Sequence, residues 1–156
     1  MSRHTHVVES NGYSRGPLID SVRPYPDAIR FALNRLNGAS FWAYSLWRAP
    51  AGTDFLEDIP LSDEYVQSAG TAQAMTVEVR MLDAKGIAHQ YVVGKPGDQP
   101  VGAPTEVIHW DDGRHSATVY PNEVFTADEA ADVFSAYLQT DRVPESYTLR
   151  ELDLTL

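Results

Sequence analysis

The stretch that decides the fold is MTVEVRMLDAKGIAHQYVV, residues 75 to 93. In its first part every second residue from Met75 to Met81 is apolar, which is the period of a strand with one covered face. Asp83 to Gly86 is a turn signal, and residues 87 to 93 would return antiparallel to the first strand. The stretch therefore predicts a β-hairpin within an antiparallel sheet.

A second hairpin is predicted further along the chain. Residues 105 to 110 and 115 to 120 are β-prone and flank Asp111-Asp112-Gly113-Arg114, which is a tight-turn sequence. Four consecutive strands would then form a central meander. The segment from Tyr147 to Leu152 leaves room for one more strand near the end of the chain.

The residues before the meander supply two further strands and a loop. Thr5 to Glu9 is a short β-prone run, followed by loop signals at Asn11-Gly12 and Gly16-Pro17. The aromatic run FWAYSLW, residues 41 to 47, is typical of a buried or half-buried strand. Residues 51 to 70 contain glycine, proline and many acids, and they predict a loop with short helical turns.

Two amphipathic helices are expected to cover the sheet. The first follows Pro24, has apolar residues at helical spacing from Ile29 to Leu36, and would be closed by Gly38 in a left-handed conformation. The second begins at Thr126-Ala127-Asp128-Glu129, a capping box in which the threonine hydroxyl and the glutamate carboxylate each accept from the other residue's amide. We expect an α+β fold in one domain, residues 1 to 156, with an antiparallel sheet of about five to six strands packed against two main helices.

Composition excludes several classes of chemistry. The chain has no cysteine, so it forms neither disulfides nor thiolate metal sites. Neither HExxH nor an acidic calcium loop, a phosphate-binding loop or a GxSxG elbow is present, and we predict no metal and no cofactor. The first ten residues lack the apolar core of a secretory signal, and no apolar stretch is long enough to span a bilayer, which predicts a cytoplasmic protein.

The net charge of −10 is unevenly distributed. Residues 1 to 48 carry six basic and three acidic side chains, whereas residues 49 to 156 carry six basic and nineteen acidic ones. No lysine or arginine occurs between Arg48 and Arg80. Such a surface repels phosphate groups, which disfavours direct binding to nucleic acid and to anionic membranes.

Candidate catalytic groups are few. His4 and His6 would share one strand face, and His109 and His115 would face each other across the second hairpin, but unliganded histidines at or near a surface are the more common arrangement. The adjacent carboxylates Asp63-Glu64 and Asp111-Asp112 could do acid and base work, yet neighbouring acids in a turn point apart and stay solvated. We therefore predict that the protein is not an enzyme.

The acidic segment after Arg48 favours binding to another protein. It combines carboxylates with aromatic side chains, which are the groups that attract and anchor a basic partner. The competing interpretation is a solvated acidic surface that only aids solubility. The residues predicted to contact a partner are Asp54, Phe55, Glu57, Asp58, Asp63, Glu64, Tyr65, Trp110, Asp111 and Asp112.

The last part of the chain resembles a family of bacterial immunity proteins. The sequence TVYPNEVFTADEAADVFSAYLQTDRVPESYTLREL, residues 118 to 152, has a proline and an acid before a helix, an alanine- and phenylalanine-containing helix, and then a proline and a last strand. This order is similar to that of the first-named immunity family (Imm one type), whose members neutralise polymorphic toxins. The resemblance implies that the protein binds a cognate toxin and occludes its active site without turnover of its own.

Two other functions remain open from the sequence. A small-molecule-binding or enzymatic α+β domain would have a deep apolar pocket between sheet and helices, with polar groups converging on it. A subunit of a structural assembly would expose a large apolar patch on the FWAYSLW strand. An inhibitory protein would instead present a continuous acidic surface.

Overall fold

The computed structural model describes residues 4–57 and 59–154. Within these ranges the chain forms nine β-strands, two α-helices and one short 3-10 helix. The strands are β1 (His6–Ser10), β2 (Ser14–Pro17), β3 (Ala43–Arg48), β4 (Tyr65–Gly70), β5 (Met75–Leu82), β6 (Ala88–Gly94), β7 (Glu106–Trp110), β8 (His115–Val119) and β9 (Thr148–Glu151); the helices are α1 (Tyr25–Asn34) and α2 (Ala127–Thr140), and the 3-10 helix is Pro121–Glu123.

The fold is α+β, as predicted. Seven strands form one sheet in the order β2-β1-β3-β4-β5-β6-β9, and every neighbouring pair is antiparallel. The predicted hairpin is confirmed, since β5 and β6 pair from Glu78 with Val92 to Leu82 with Ala88. In the turn, the carboxylate of Asp83 accepts from the amides of Lys85 and Ile87.

One face of the large sheet packs on both helices. Its main apolar cluster joins Leu46, Val66, Val77 and Val79 of the strands to helix residues that are fully buried, among them Phe134. Side chains in such a cluster exclude water and supply the main driving force for folding. None of the helices in residues 4–57 and 59–154 is long and apolar enough to cross a membrane.

The predicted capping box opens α2. The Thr126 hydroxyl accepts from the amide of Glu129, and the Glu129 carboxylate accepts from the amide of Thr126 at 2.9 Å. The predicted end of α1 is wrong in detail: the helix stops at Asn34 and its cap is Arg35 in a right-handed conformation. Gly38 does take a positive φ of 79°, but in the loop beyond the helix, where its amide donates to the carbonyl of Phe41.

The prediction of a loop over residues 51 to 70 is wrong for its last six residues. They form β4, which lies in the middle of the sheet between β3 and β5. The sequence YVQSAG begins with two strong strand formers, Tyr65 and Val66, but continues with residues of lower strand propensity, and the burial of Val66, Ser68 and Ala69 in the sheet decides its structure. Gly70 has a φ of 132°, and a Cβ added there would lie 2.9 Å from Ile108 Cγ2, so only glycine fits beneath β7.

Two further differences concern strand pairing. The segment after Asn11-Gly12 is not only loop, because Ser14–Pro17 pairs with β1 as an edge strand, where proline is tolerated. The second hairpin forms as predicted, but it does not continue the meander. β7 and β8 make a separate two-stranded sheet, since the free edge of β6 is occupied by β9.

Candidate partner-binding surface

The acidic segment between β3 and β4 is a surface loop that displays apolar side chains. Leu56 is 95% exposed and Leu61 is 64% exposed. Asp54 and Glu57 on either side of Leu56 are exposed as well. We call residues 51–64 the acidic loop. It presents both carboxylates and apolar groups to solvent.

The acidic loop is held to the sheet at its centre. Ile59 is buried against Val7 and Trp47, and Phe55 packs at the margin of the same cluster. The ring of His4 lies edge-on to that of Phe55, with centroids 5.4 Å apart. Because the loop is anchored in this way, the exposed Leu56 and Leu61 lie on a segment that packs against the sheet. Asp58, one of the predicted contact residues, lies outside the described residues.

The predicted contact residues fall into two groups on different parts of the molecule. Asp63 and Glu64 end the acidic loop, and the Glu64 carboxylate accepts from the amide of Leu82 at 3.1 Å. Tyr65 starts β4 and is half-buried. This first group therefore includes one acid, Glu64, with a local structural role.

The second group lies at the turn of the β7–β8 hairpin. Asp111 and Asp112 both have positive φ, and the Asp112 amide donates to the carbonyl of Gly38. Asp111 is paired with Arg114 at 3.3 Å, and Trp110 stacks on His115 with centroids 6.2 Å apart. Asp111 and Arg114, and likewise Trp110 and His115, are therefore partners within the hairpin. They form a small cluster distinct from the acidic loop.

The histidines do not form the pairs that the sequence predicted. Across the second hairpin His109 lies opposite Ser116, while His115 lies opposite Trp110, because the turn contains four residues. His4 precedes β1 and is exposed, whereas His6 is buried, and burial lowers its pKa. Within the described residues, no group of three or more His, Cys, Asp or Glu side chains is placed to hold a metal ion.

The face of the sheet opposite the helices carries a line of polar side chains that the sequence analysis did not single out. Strand register places Glu9, Ser45, Gln67 and Glu78 side by side across β1, β3, β4 and β5. We call these four residues the polar row. Alternation within β5 was the available signal, because Glu78 lies between two apolar neighbours that face the helices.

The polar row crosses the sheet between two apolar clusters. At the β1 end, Glu9 lies two residues from Val7, which packs under the acidic loop. At the β5 end, Glu78 pairs with Val92, which packs under Ile108 and Val119 of the β7–β8 hairpin. The polar row therefore forms a floor between the acidic loop and the hairpin.

Glu78 is held by an amide on the floor. The side-chain amide of Gln90 donates to the Glu78 carboxylate at 2.6 Å. The carbonyl oxygen of Gln90 accepts from Tyr65 and from Arg80, both at 3.4 Å. Burial raises the pKa of Glu78 above its ordinary value, although the hydrogen bond from Gln90 and the charge of Arg150 oppose this. The carboxylate is thus oriented but poorly solvated.

The other carboxylates buried near this floor have arginine partners. Glu9 is paired with Arg15, which also donates to the carbonyl of Ile59 at 3.1 Å and so ties β2 to the acidic loop. Glu123 accepts two hydrogen bonds from Arg150, both at 2.9 Å. Buried carboxylates normally require such partners. Glu78 is the exception.

Two cavities of the described chain lie, respectively, where β5 and β6 meet the end of α2 and beside the acidic loop. One of about 390 Å³ is lined by Glu64, Asp83, His89 and Asp141. Another, of about 540 Å³, is lined by His4, Arg48 and residues of the loop. The space between the helices and the sheet is occupied by the apolar cluster described above.

Comparison with known proteins identifies no relative: no family model, no curated protein and no solved structure matches this chain.

Proposed function

We propose that this chain is an immunity protein that binds a bacterial toxin and occludes its active site, with no turnover of its own. The observation that supports it best is the acidic loop, where Leu56 and Leu61 stand exposed among carboxylates. Large apolar side chains exposed beside carboxylates offer a partner both surface to bury and charge to recognise. The charged neighbours determine whether the surface attracts a basic or an acidic partner.

The two kinds of side chain have different roles in the proposed complex. Asp54, Glu57 and Asp63 attract a basic cleft of the kind that receives phosphate groups, and this speeds association. Leu56 and Leu61 lose their exposed surface in the complex, and this slows dissociation. The proposal includes a cytoplasmic location and no direct contact with nucleic acid or membrane, since the acidic surface repels both.

The alternative, a small-molecule or enzymatic domain with a pocket between sheet and helices, has less support. Apolar side chains such as Phe134 and Val77 fill that interface. The cavity where β5 and β6 meet the end of α2 and the one beside the acidic loop are both bordered mostly by exposed residues. A recognition surface needs no deep pocket, so these features favour protein binding.

Charge reversal in the acidic loop tests the proposal. The partner to test is the toxin domain that the proposal expects the gene immediately upstream to encode, produced as an inactive variant. We expect Glu57→Lys with Asp63→Lys to slow association roughly tenfold at low salt, and the effect should shrink as salt rises. Both residues are exposed. Association and dissociation rates are measured by surface plasmon resonance.

A matched control separates the acidic loop from net charge alone. Asp20→Lys with Glu145→Lys makes the same change in charge at exposed positions outside the loop. Leu56→Ser with Leu61→Ser should instead speed dissociation, with little effect on association. If the loop and control charge variants bind the toxin domain equally fast, the proposed surface is wrong. If the native chain neither binds nor inhibits it, the immunity function is wrong.

A further inference from the structure

Glu78 is a poorly solvated carboxylate without an ion pair. Among the described residues no salt bridge reaches it, and its hydrogen-bond partner is the neutral amide of Gln90. The nearby arginines bind other groups: Arg150, whose charge acts on Glu78 from a distance, is paired with Glu123, and Arg80 donates to the carbonyl oxygen of Gln90. The free protein thus keeps an oriented anion on its sheet face.

The neighbours of Glu78 are suited to a cation with several donors. Gln67 lies directly opposite it on β4 and is half-buried, so its side-chain oxygen can accept hydrogen bonds. Tyr65, two residues earlier on β4 and opposite Arg80, is half-buried and offers an aromatic face. A planar guanidinium with five N–H donors uses carboxylate, amide oxygen and aromatic face together, whereas an ammonium cannot stack in the same way.

We propose that Glu78 receives an arginine side chain of the bound protein partner, which reaches the floor between the acidic loop and the β7–β8 hairpin. This inference rests on the proposed function, because the arginine belongs to the toxin. The acidic loop attracts the basic surface of the toxin, and the oriented carboxylate of Glu78 binds one arginine of that surface. An anion without a salt bridge in the free protein gains an ion pair only in the complex, so the energy of that pair contributes to recognition and not to folding.

Glu78→Gln is the decisive variant. Glutamine keeps an oxygen that accepts from Gln90 and removes only the charge. The control is Glu106→Gln, which removes one charge from an exposed position on β7. We expect Glu78→Gln to raise the urea midpoint of the free protein at pH 7 while weakening binding to the toxin domain roughly 30-fold. Glu106→Gln should change neither quantity.

A small probe tests the site without the toxin. Propylguanidinium, added to isotopically labelled protein, should cause saturable NMR shifts of the side-chain amides of Gln67 and Gln90. Tetramethylammonium at equal ionic strength should not, since it has no donors. Glu78→Gln should abolish the response. Gln67→Leu, which removes one acceptor, should weaken it.

The outcomes distinguish this inference from the proposed function. If the toxin domain binds and Glu78→Gln leaves its affinity unchanged, the arginine site is wrong and the immunity function stands. If propylguanidinium binds at Glu78 but the toxin domain does not bind the native chain, the site stands and its assignment to a toxin is wrong. A lower urea midpoint for Glu78→Gln would mean that the charge of Glu78 stabilises the free protein, which contradicts the inference that this carboxylate has no ion pair there.

Discussion

Replacing Arg150 by methionine should make the protein easier to unfold, because it leaves a buried carboxylate without its counter-charge. Glu123 is 2% exposed. Its carboxylate accepts two bonds of 2.9 Å from Arg150 and one of 2.8 Å from the amide of Tyr120. The ion pair joins the turn before α2 to strand β9. Methionine fills a similar volume and supplies no donor.

The size of the effect follows from how far water can reach the pair. Removing one partner of a fully buried ion pair costs about 3–5 kcal/mol. The side chain of Arg150 is 32% exposed, so water partly solvates the ion pair. We therefore expect a cost at the lower end of this range, about 3 kcal/mol. With a urea dependence of about 2 kcal/mol/M, the unfolding midpoint should fall by about 1.5 M.

Urea unfolding followed by tryptophan fluorescence measures this, since Trp47 is buried. Adding Glu123→Gln to Arg150→Met should recover more than half of the loss, because the glutamine oxygen still accepts from the amide of Tyr120 and no charge is stranded. Arg150→Lys keeps the charge without the paired geometry and should fall between the native chain and Arg150→Met. A midpoint change below about 0.3 M for Arg150→Met would refute this account of Glu123.

Two further predictions concern other elements. Thr126→Ala removes the hydroxyl that accepts from the amide of Glu129 and should lower the free energy of unfolding by about 1 kcal/mol, a fall of about 3 °C in Tm by calorimetry, whereas Thr126→Ser should lose much less. The carboxylates of Glu151 and Asp83 hydrogen-bond His89 and raise its pKa above 6.5. Protonated His89 therefore stabilises the folded protein. This stabilisation is complete below pH 6.5 and is lost as the pH rises through the raised pKa. His89→Gln should accordingly lower the urea midpoint at pH 5.5 and leave it nearly unchanged at pH 9.

The sequence was sufficient for elements whose signals are local. The alternation from Met75 to Met81 and the turn after it specified the β5–β6 hairpin, since period and turn residues agree there. The capping box at Thr126 likewise fixed the start of α2. Strand β4 could not be found in this way, because only Tyr65 and Val66 are strong strand formers and the burial of the strand depends on β3 and β5.

Strand pairing and side-chain partners depend on tertiary contacts, and these limited the prediction of the site. The β7–β8 hairpin was predicted, but its separation from β6 follows from β9, which arrives some thirty residues later in the chain. Alternation places Glu78 on the outer face, yet its lack of an ion pair emerges only when the nearby Arg80 and Arg150 are seen to bind other groups. The acidic loop was correctly placed between strands, while its exposed leucines were not distinguished from core residues.

The two faces of the large sheet differ in composition, so the sequence of one face can change in evolution while the other keeps the fold. Along β4 and β5 each residue of the core is followed by one of the outer face, so Val66 precedes Gln67 and Val77 precedes Glu78. A lineage could exchange the half-buried outer residues Gln67, Glu78 and Arg80, and so change the surface it presents, while the intervening positions keep the fold. We expect relatives to retain the apolar positions and to differ at these outer ones. Under the proposed immunity function, two chains with the same hydrophobic period would then bind different toxins.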